Sequence, residues 1–214
     1  TGTVTGTKTL IVLGRWSRHH DEAGMSAVVA VDHRGNVLES VRRVIADAPI
    51  LATYARAAEN GWEVAQFRVD WTPPAGGTPA DRDAELLEPG AYTTTMRYDA
   101  LNRMTLRHLP SDVDGHRHEL RATFDRSGGL ASVTLDGTVF VERIAYDAKG
   151  QRVLIAYGNG LMTRHAYDPD TFRPVRTRTE RYTLADAATY RPTGAPVQDV
   201  GYDYDLAGNV VTVR

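Results

Sequence analysis

Cysteine is missing altogether from the 214 residues, which excludes a disulfide framework, a thiolate zinc centre, an iron–sulfur cluster and a cysteine nucleophile. No apolar run approaches the roughly 18 residues that a membrane helix needs. Neither charge sign prevails: 25 Lys and Arg face 27 Asp and Glu, so composition does not point to a nucleic-acid binder. Lysine is nearly absent, with Lys8 and Lys149 set against 23 arginines, a bias that a GC-rich genome accounts for. The P-loop, the G-x-S-x-G elbow, the Asp-Thr-Gly triplet and H-E-x-x-H are all missing. Gly158-Asn159-Gly160 opens a G-x-G but lacks a third glycine and a following helix. These gaps argue against an enzyme and against any cofactor. The chain starts on Thr1, without an initiator Met or a signal peptide, and reads as a piece of something longer.

Strand formers are what is plentiful. Val, Thr, Tyr, Ile, Phe and Trp total 66 residues, close to a third of the chain. Among them one element recurs: an aromatic or Val, then Asp, two or three residues, Gly or Asn, and a new strand-like run. Its copies are Val31-Asp32-His33-Arg34-Gly35-Asn36, Tyr98-Asp99-Ala100-Leu101-Asn102-Arg103 and Phe124-Asp125-Arg126-Ser127-Gly128-Gly129. Further on come Tyr146-Asp147-Ala148-Lys149-Gly150-Gln151, the degenerate Tyr167-Asp168-Pro169-Asp170-Thr171-Phe172, and Tyr204-Asp205-Leu206-Ala207-Gly208-Asn209. From Asp to Asp the steps are 67, 26, 22, 21 and 37 residues, the long ones implying insertions or lost copies.

The chemistry of each copy is that of a turn. The Asp carboxylate accepts backbone N–H groups ahead of it, and Gly or Asn supplies the positive φ that leads into the return strand. The flanks alternate with period two, as in Thr94-Thr95-Met96-Arg97-Tyr98 and His118-Glu119-Leu120-Arg121-Ala122-Thr123-Phe124. Each copy is therefore a β-hairpin of about 20 residues, and a lone hairpin cannot bury its apolar face. Successive hairpins must stack or share a sheet. The expected fold is all-β, consecutive antiparallel hairpins with one short helix near residues 48–60.

That helix has Asp47 as its cap, Pro49 in its first turn, Ile50, Leu51, Tyr54 and Ala58 on one face, and Asn60-Gly61 at its end. It belongs to a less regular region, residues 1–90, with an edge strand over Thr3 to Val12 and a hairpin pairing Ser26–Val31 with Val37–Val44. A Pro/Gly-rich, acidic connector runs from Trp71 to Gly90. Residues 91–214 form the repeat region, interrupted by an insertion at 183–196 whose Arg191-Pro192-Thr193-Gly194-Ala195-Pro196 has the composition of a loop.

Several residues invite a chemical reading. His116 and His118 would share one face of a strand, with Asp112 and Asp114 just upstream, and are the weak metal candidates. Asp112-Val113-Asp114-Gly115 equally reads as a turn between repeats, without the third oxygen donor of a calcium loop. His19-His20-Asp21-Glu22 is weaker still, and a solvated loop accounts for it. The repeat aromatics Tyr98, Phe124, Tyr146, Tyr167 and Tyr204 suit cross-strand packing better than a glycan-binding ladder. Arg164, Arg173, Arg176, Arg178 and Arg181 form a basic patch interrupted by Asp168, Asp170 and Glu180, which points to cross-strand ion pairs rather than nucleic acid.

The Tyr-Asp-x-x-Gly/Asn turn, repeated as quoted above, together with Tyr157-Gly158-Asn159-Gly160, resembles the RHS/YD-repeat proteins. The likeness is closest to the shell region of insecticidal toxin-complex B and C components and related bacterial RHS toxins. It is densest over residues 91–214. The resemblance implies a β-strip that spirals into a hollow shell around a toxic C-terminal segment. It also implies, as partners, the remainder of the polypeptide, its toxic cargo and other toxin-complex components, in a secreted or surface-bound bacterial particle. The family's self-cleaving aspartyl-protease region and its variable toxin domain have no match here. The same repeat occurs in adhesion proteins such as teneurins, so a cell-surface adhesion or glycan-binding module is the alternative.

Overall fold

A computed structural model describes residues 8–12, 15–63 and 68–214. The chain divides into two compact units, one ending at His118 and the other running from Glu119 to Arg214. Both are built as an antiparallel meander in chain order. The first unit holds β1 (Lys8–Val12), β2 (Arg15–Asp21), β3 (Gly24–Val31), β4 (Val37–Val44), β5 (Tyr92–Tyr98) and β6 (Met104–Ser111). Residues 3–7 of the expected first strand lie outside the described residues. The fold is all-β, as the alternation and turn spacing predict.

Between β4 and β5 the meander is interrupted by helices α1 (Asp47–Glu59) and α2 (Pro79–Leu86). Only α1 was expected, and its buried side differs from the expected one. Ala57 is buried and Ile50 packs on the core, whereas Leu51 is 62% exposed and Tyr54 53% exposed. A helix with alanine on several faces has no unique apolar stripe, and the small Ala57 permits the closest approach. In the connector, α2 starts on a capping box. Asp81 N–H donates to Thr78 Oγ1 at 3.3 Å and Thr78 N–H donates to the Asp81 carboxylate at 2.7 Å. The apolar core of this unit is Met25 and Ile45 from the sheet side with Val69, Trp71, Leu86 and Leu87 from the insertion. Its polar border was not foreseen. On β2 the alternating Arg18 and His20 both reach Asp83 of α2, at 3.0 and 2.9 Å, and the His20 ring lies 4.5 Å from that of Trp71. His20 thus sits in a buried strand position and not in a solvated loop.

The second unit continues with β7 (Arg117–Phe124, its first two residues preceding the division), β8 (Leu130–Leu135), β9 (Thr138–Tyr146), β10 (Arg152–Tyr157), β11 (Leu161–Tyr167), β12 (Pro174–Leu184), β13 (Tyr190–Tyr204) and β14 (Val210–Val213). Its buried apolar side chains, Ile144, Ile155, Ala156 and Met162, are few, as a single-layer sheet requires. The 183–196 segment is not a loop. Leu184 pairs with Tyr190, Thr183 with Arg191, Tyr182 with Pro192 and Arg181 with Thr193. The register then shifts so that Thr179 faces Gln198, and the bulge holds Gly194 and Pro196. Bulges and sheet edges are where a strand tolerates proline, so loop-like composition here marks an interrupted strand.

Candidate functional site

The recurring feature is the aspartate turn. In a typical copy the Asp147 carboxylate accepts the N–H groups of Lys149 and Gln151, each at 2.9 Å. The Asp147 N–H donates to Gln151 O at 2.9 Å, the Gly150 N–H donates to Asp147 O at 3.1 Å, and Gly150 takes φ 80°. Such a loop is a short turn followed by one left-handed residue, which the added carboxylate bonds hold closed. The same carboxylate-to-backbone pattern holds at Asp32 (Arg34 and Asn36), Asp99 (Leu101 and Arg103) and Asp125 (Ser127 and Gly129). Asp205 receives the Asn209 N–H at 2.8 Å. Gly35, Asn102, Gly128 and Gly208 occupy the left-handed position. Asp168 holds a loop one residue longer, with Phe172 at φ 60°.

The Asp112 segment, which the sequence offered as a turn between repeats, is a further copy. Asp112 accepts the N–H groups of Asp114 and His116 at 2.9 Å each, and Gly115 is left-handed. The 26-residue step from Asp99 to Asp125 is therefore two steps of 13. Ser111 stands where the other copies carry an aromatic or Val, which hides this one from a search for Tyr-Asp.

The aromatic before each Asp has a specific task. The Tyr146 hydroxyl donates to Leu130 O at 3.1 Å, that of Tyr167 to Arg152 O at 3.0 Å, and that of Tyr204 to Pro174 O at 2.7 Å. Each acceptor is the first strand residue after the preceding aspartate turn. One phenol thus ties every hairpin of this unit to the one before it. Phe124 has no hydroxyl, and Tyr98 donates to Met96 Sδ at 3.6 Å. Neighbouring turns also touch. In the first unit Asn36 Nδ2 donates to Asn102 Oδ1 at 3.0 Å. In the second, Gln151 Nε2 donates to Phe172 O at 2.8 Å, and Lys149 Nζ sits 3.2 Å above the Phe172 ring. Arg173 stacks over Tyr204 and donates to Asp205 O.

Hydrogen bonds to the ionised form hold several turn carboxyls below the usual aspartate range. The leading donor is the Asn36 side chain for Asp32, the Arg103 side chain for Asp99, the His116 N–H for Asp112 and the Ser127 side chain for Asp125. For Asp168 it is the Thr171 N–H, and for Asp205 the Asn209 side chain. The unfolded chain takes up these protons first. The turns' contribution to stability is complete above the unfolded value of about 3.9 and is lost as pH falls through the lower folded values. Wild-type protein is expected to lose thermal stability steadily below about pH 4. Asp99→Asn with Asp125→Asn should flatten that slope, and equal slopes in scanning calorimetry at pH 5 and pH 3 would contradict the assignment.

The other candidates separate. His116 lies in the Asp112 turn, and His118 on β7 places Nε2 3.2 Å from the Asp112 carboxylate. The two histidines are not brought together as a pair; the donors that converge are Asp112, Asp114 and His116, within 4.8 Å of one another. The arginine patch is an ion-pair network. Glu180, 2% exposed, takes Arg164 and Arg178, while Asp199 takes Arg176 and Arg178. Burial pushes the Glu180 carboxyl up, and the two guanidinium groups more than reverse it.

No family model matches the chain. Two toxin subunits of Yersinia entomophaga do: YenC1, 29% identical over 94% of this chain, and YenC2, 27% identical over 96%. The chain resembles RHS-type toxin subunits. It spans about a fifth of those relatives, 18% of YenC1 and 19% of YenC2. The fold is shared with solved structures. A crystal structure of TcdB2-TccC3-Cdc42 superposes with a TM-score of 0.69 at 23% identity, over 98% of this chain and 9% of that one. A Photorhabdus luminescens Tc holotoxin pore superposes at 0.66 with 25% identity, over 94% of this chain and 8% of that one.

Proposed function

We propose that this chain is a wall segment of a toxin shell, which encloses a toxic polypeptide and helps to deliver it. The observation that carries the reading is the ladder itself. Aspartate turns set the hairpins, and the phenols of Tyr146, Tyr167 and Tyr204 tie three of them to the previous one, so hairpins can be added without a thick core. The likeness to toxin subunits over nearly the whole chain, at about a fifth of their length, supports a segment of a larger object. Its partners are then the remainder of the same polypeptide, the enclosed cargo and other toxin-complex components, in a secreted particle. The wall acts by excluding proteases, not by chemistry of its own. Occupied hydroxyls on Tyr146, Tyr167 and Tyr204 support packing over a glycan ladder.

Protease protection tests the proposal. In the intact polypeptide the toxic segment should survive proteinase K at doses that degrade the same segment expressed alone. A segment digested equally fast in both settings would refute enclosure, and specific retention on a glycan array would favour adhesion instead.

A further inference from the structure

The β12–β13 hairpin is longer than its neighbours need. Pairing of β11 with β12 ends at Leu161 and Arg181, closed by the Tyr182 N–H on Gly160 O at 3.1 Å. Beyond that point residues 183–190 overhang the β10–β11 turn. The overhang is ordered at its tip, where the Ala185 N–H donates to Thr189 O at 2.9 Å and the Asp186 carboxylate accepts Ala188 and Thr189 N–H at 2.9 Å each.

Both legs of this hairpin send a tyrosine to one carboxylate. The Tyr182 hydroxyl donates to Glu142 Oε2, and the Tyr190 hydroxyl approaches Glu142 Oε1 at 3.3 Å. The Tyr182 hydroxyl also donates to Tyr157 O at 3.2 Å, and the rings of Tyr182 and Tyr190 meet edge to face at 5.0 Å. Burial and the Glu142 carboxylate push the Tyr182 phenol up to about 12. Glu142 belongs to β9, three strands away from β12. In a flat sheet three strand spacings amount to about 14 Å, beyond the reach of one tyrosine. The intervening turn is pressed onto β9 as well. Gly158 N–H donates to Phe140 O at 3.1 Å, and a Cβ on Gly158 would fall 1.7 Å from Val139 O.

We propose that the β12–β13 overhang is a strap. Tyr182 and Tyr190 buckle it to Glu142, and this tie sets the roll of the sheet from β9 to β12. The strap concerns the fold of this unit and stands whether or not the chain is a shell wall. Releasing it should free the overhang and the Tyr157–Gly160 turn while the aspartate turns stay closed.

Amide hydrogen exchange on the intact polypeptide tests this. In Tyr182→Phe, the amides of Gly158, Tyr182, Ala185 and Thr189 should exchange about tenfold faster, with those of Asp125 and Asp147 unchanged. Glu142→Gln should do the same, and the double variant should exchange no faster than either single one. Unchanged exchange at Ala185 and Thr189, or single effects that multiply in the double variant, would overturn the strap. If Tyr182→Phe loosens every turn alike, Tyr190→Phe decides by the same comparison, since it removes only the longer bond and leaves the ring in place.

Discussion

Replacing Trp71 by alanine is expected to cost the first unit about 3–5 kcal/mol, the range for truncating a large buried aromatic. Among the described residues, Trp71 is one of six buried side chains in that unit's core cluster. It shares that cluster with Met25 and Ile45 from the sheet side and with Val69, Leu86 and Leu87 from the insertion, so truncation leaves a cavity between the two. The loss also admits water to the His20–Asp83 pair, now sheltered by the indole ring 4.5 Å from His20. Calorimetry of the intact polypeptide should show the corresponding transition fall by about 10 °C. Leu51→Ala, on the exposed side of α1, serves as the control and should stay within about 0.5 kcal/mol of wild type. A Trp71→Ala transition indistinguishable from that control would mean that the insertion does not carry the core.

The second large effect is expected from Asp147→Ala combined with Gly150→Val. The carboxylate loses two backbone donors, worth about 0.5–1.5 kcal/mol each. A β-branched residue forced to φ 80° adds about 1–2 kcal/mol. Together the pair should lower the stability of the second unit by about 2–5 kcal/mol, leaving the first unit's transition in place. Asp147→Asn alone keeps an acceptor oxygen at the same point and should cost less than Asp147→Ala alone. A double variant that melts like wild type would mean that the Asp147 turn does not fix its hairpin.

The turns were legible because everything that makes them lies within five residues. An Asp, a left-handed Gly or Asn and the alternating flanks can be seen in one window. Asp112 was legible as a turn, and only Ser111 in place of an aromatic kept it from being counted among the repeats. Helix α2 had a legible signal, Thr78 followed by Asp81, which the surrounding prolines and glycines masked. What could not be read was set by register. Tyr146 meets Leu130, Tyr167 meets Arg152 and Tyr182 meets Glu142 because strands pair in one alignment, and no local pattern encodes that alignment. The outward side of α1 was misjudged for the same reason: its burial depends on the core cluster that Ile50 packs against, not on its own periodicity.

Within each unit the two ends of the strands are treated differently. One end carries the turns of Asp32 and Asp99 in the first unit, which touch, and those of Asp125, Asp147, Asp168 and Asp205 in the second, of which the last three touch in succession. At the other end the connections vary: the Asp112 turn, a two-residue Asp136-Gly137 reversal, the Tyr157–Gly160 turn, the overhanging strap, and the stretch of α1 and α2. A lengthened connection there shifts no rung of the tyrosine ladder, whose acceptors sit beside the compact turns. New segments, a tag or a foreign domain included, can therefore be grafted at that margin while the opposite margin keeps the register.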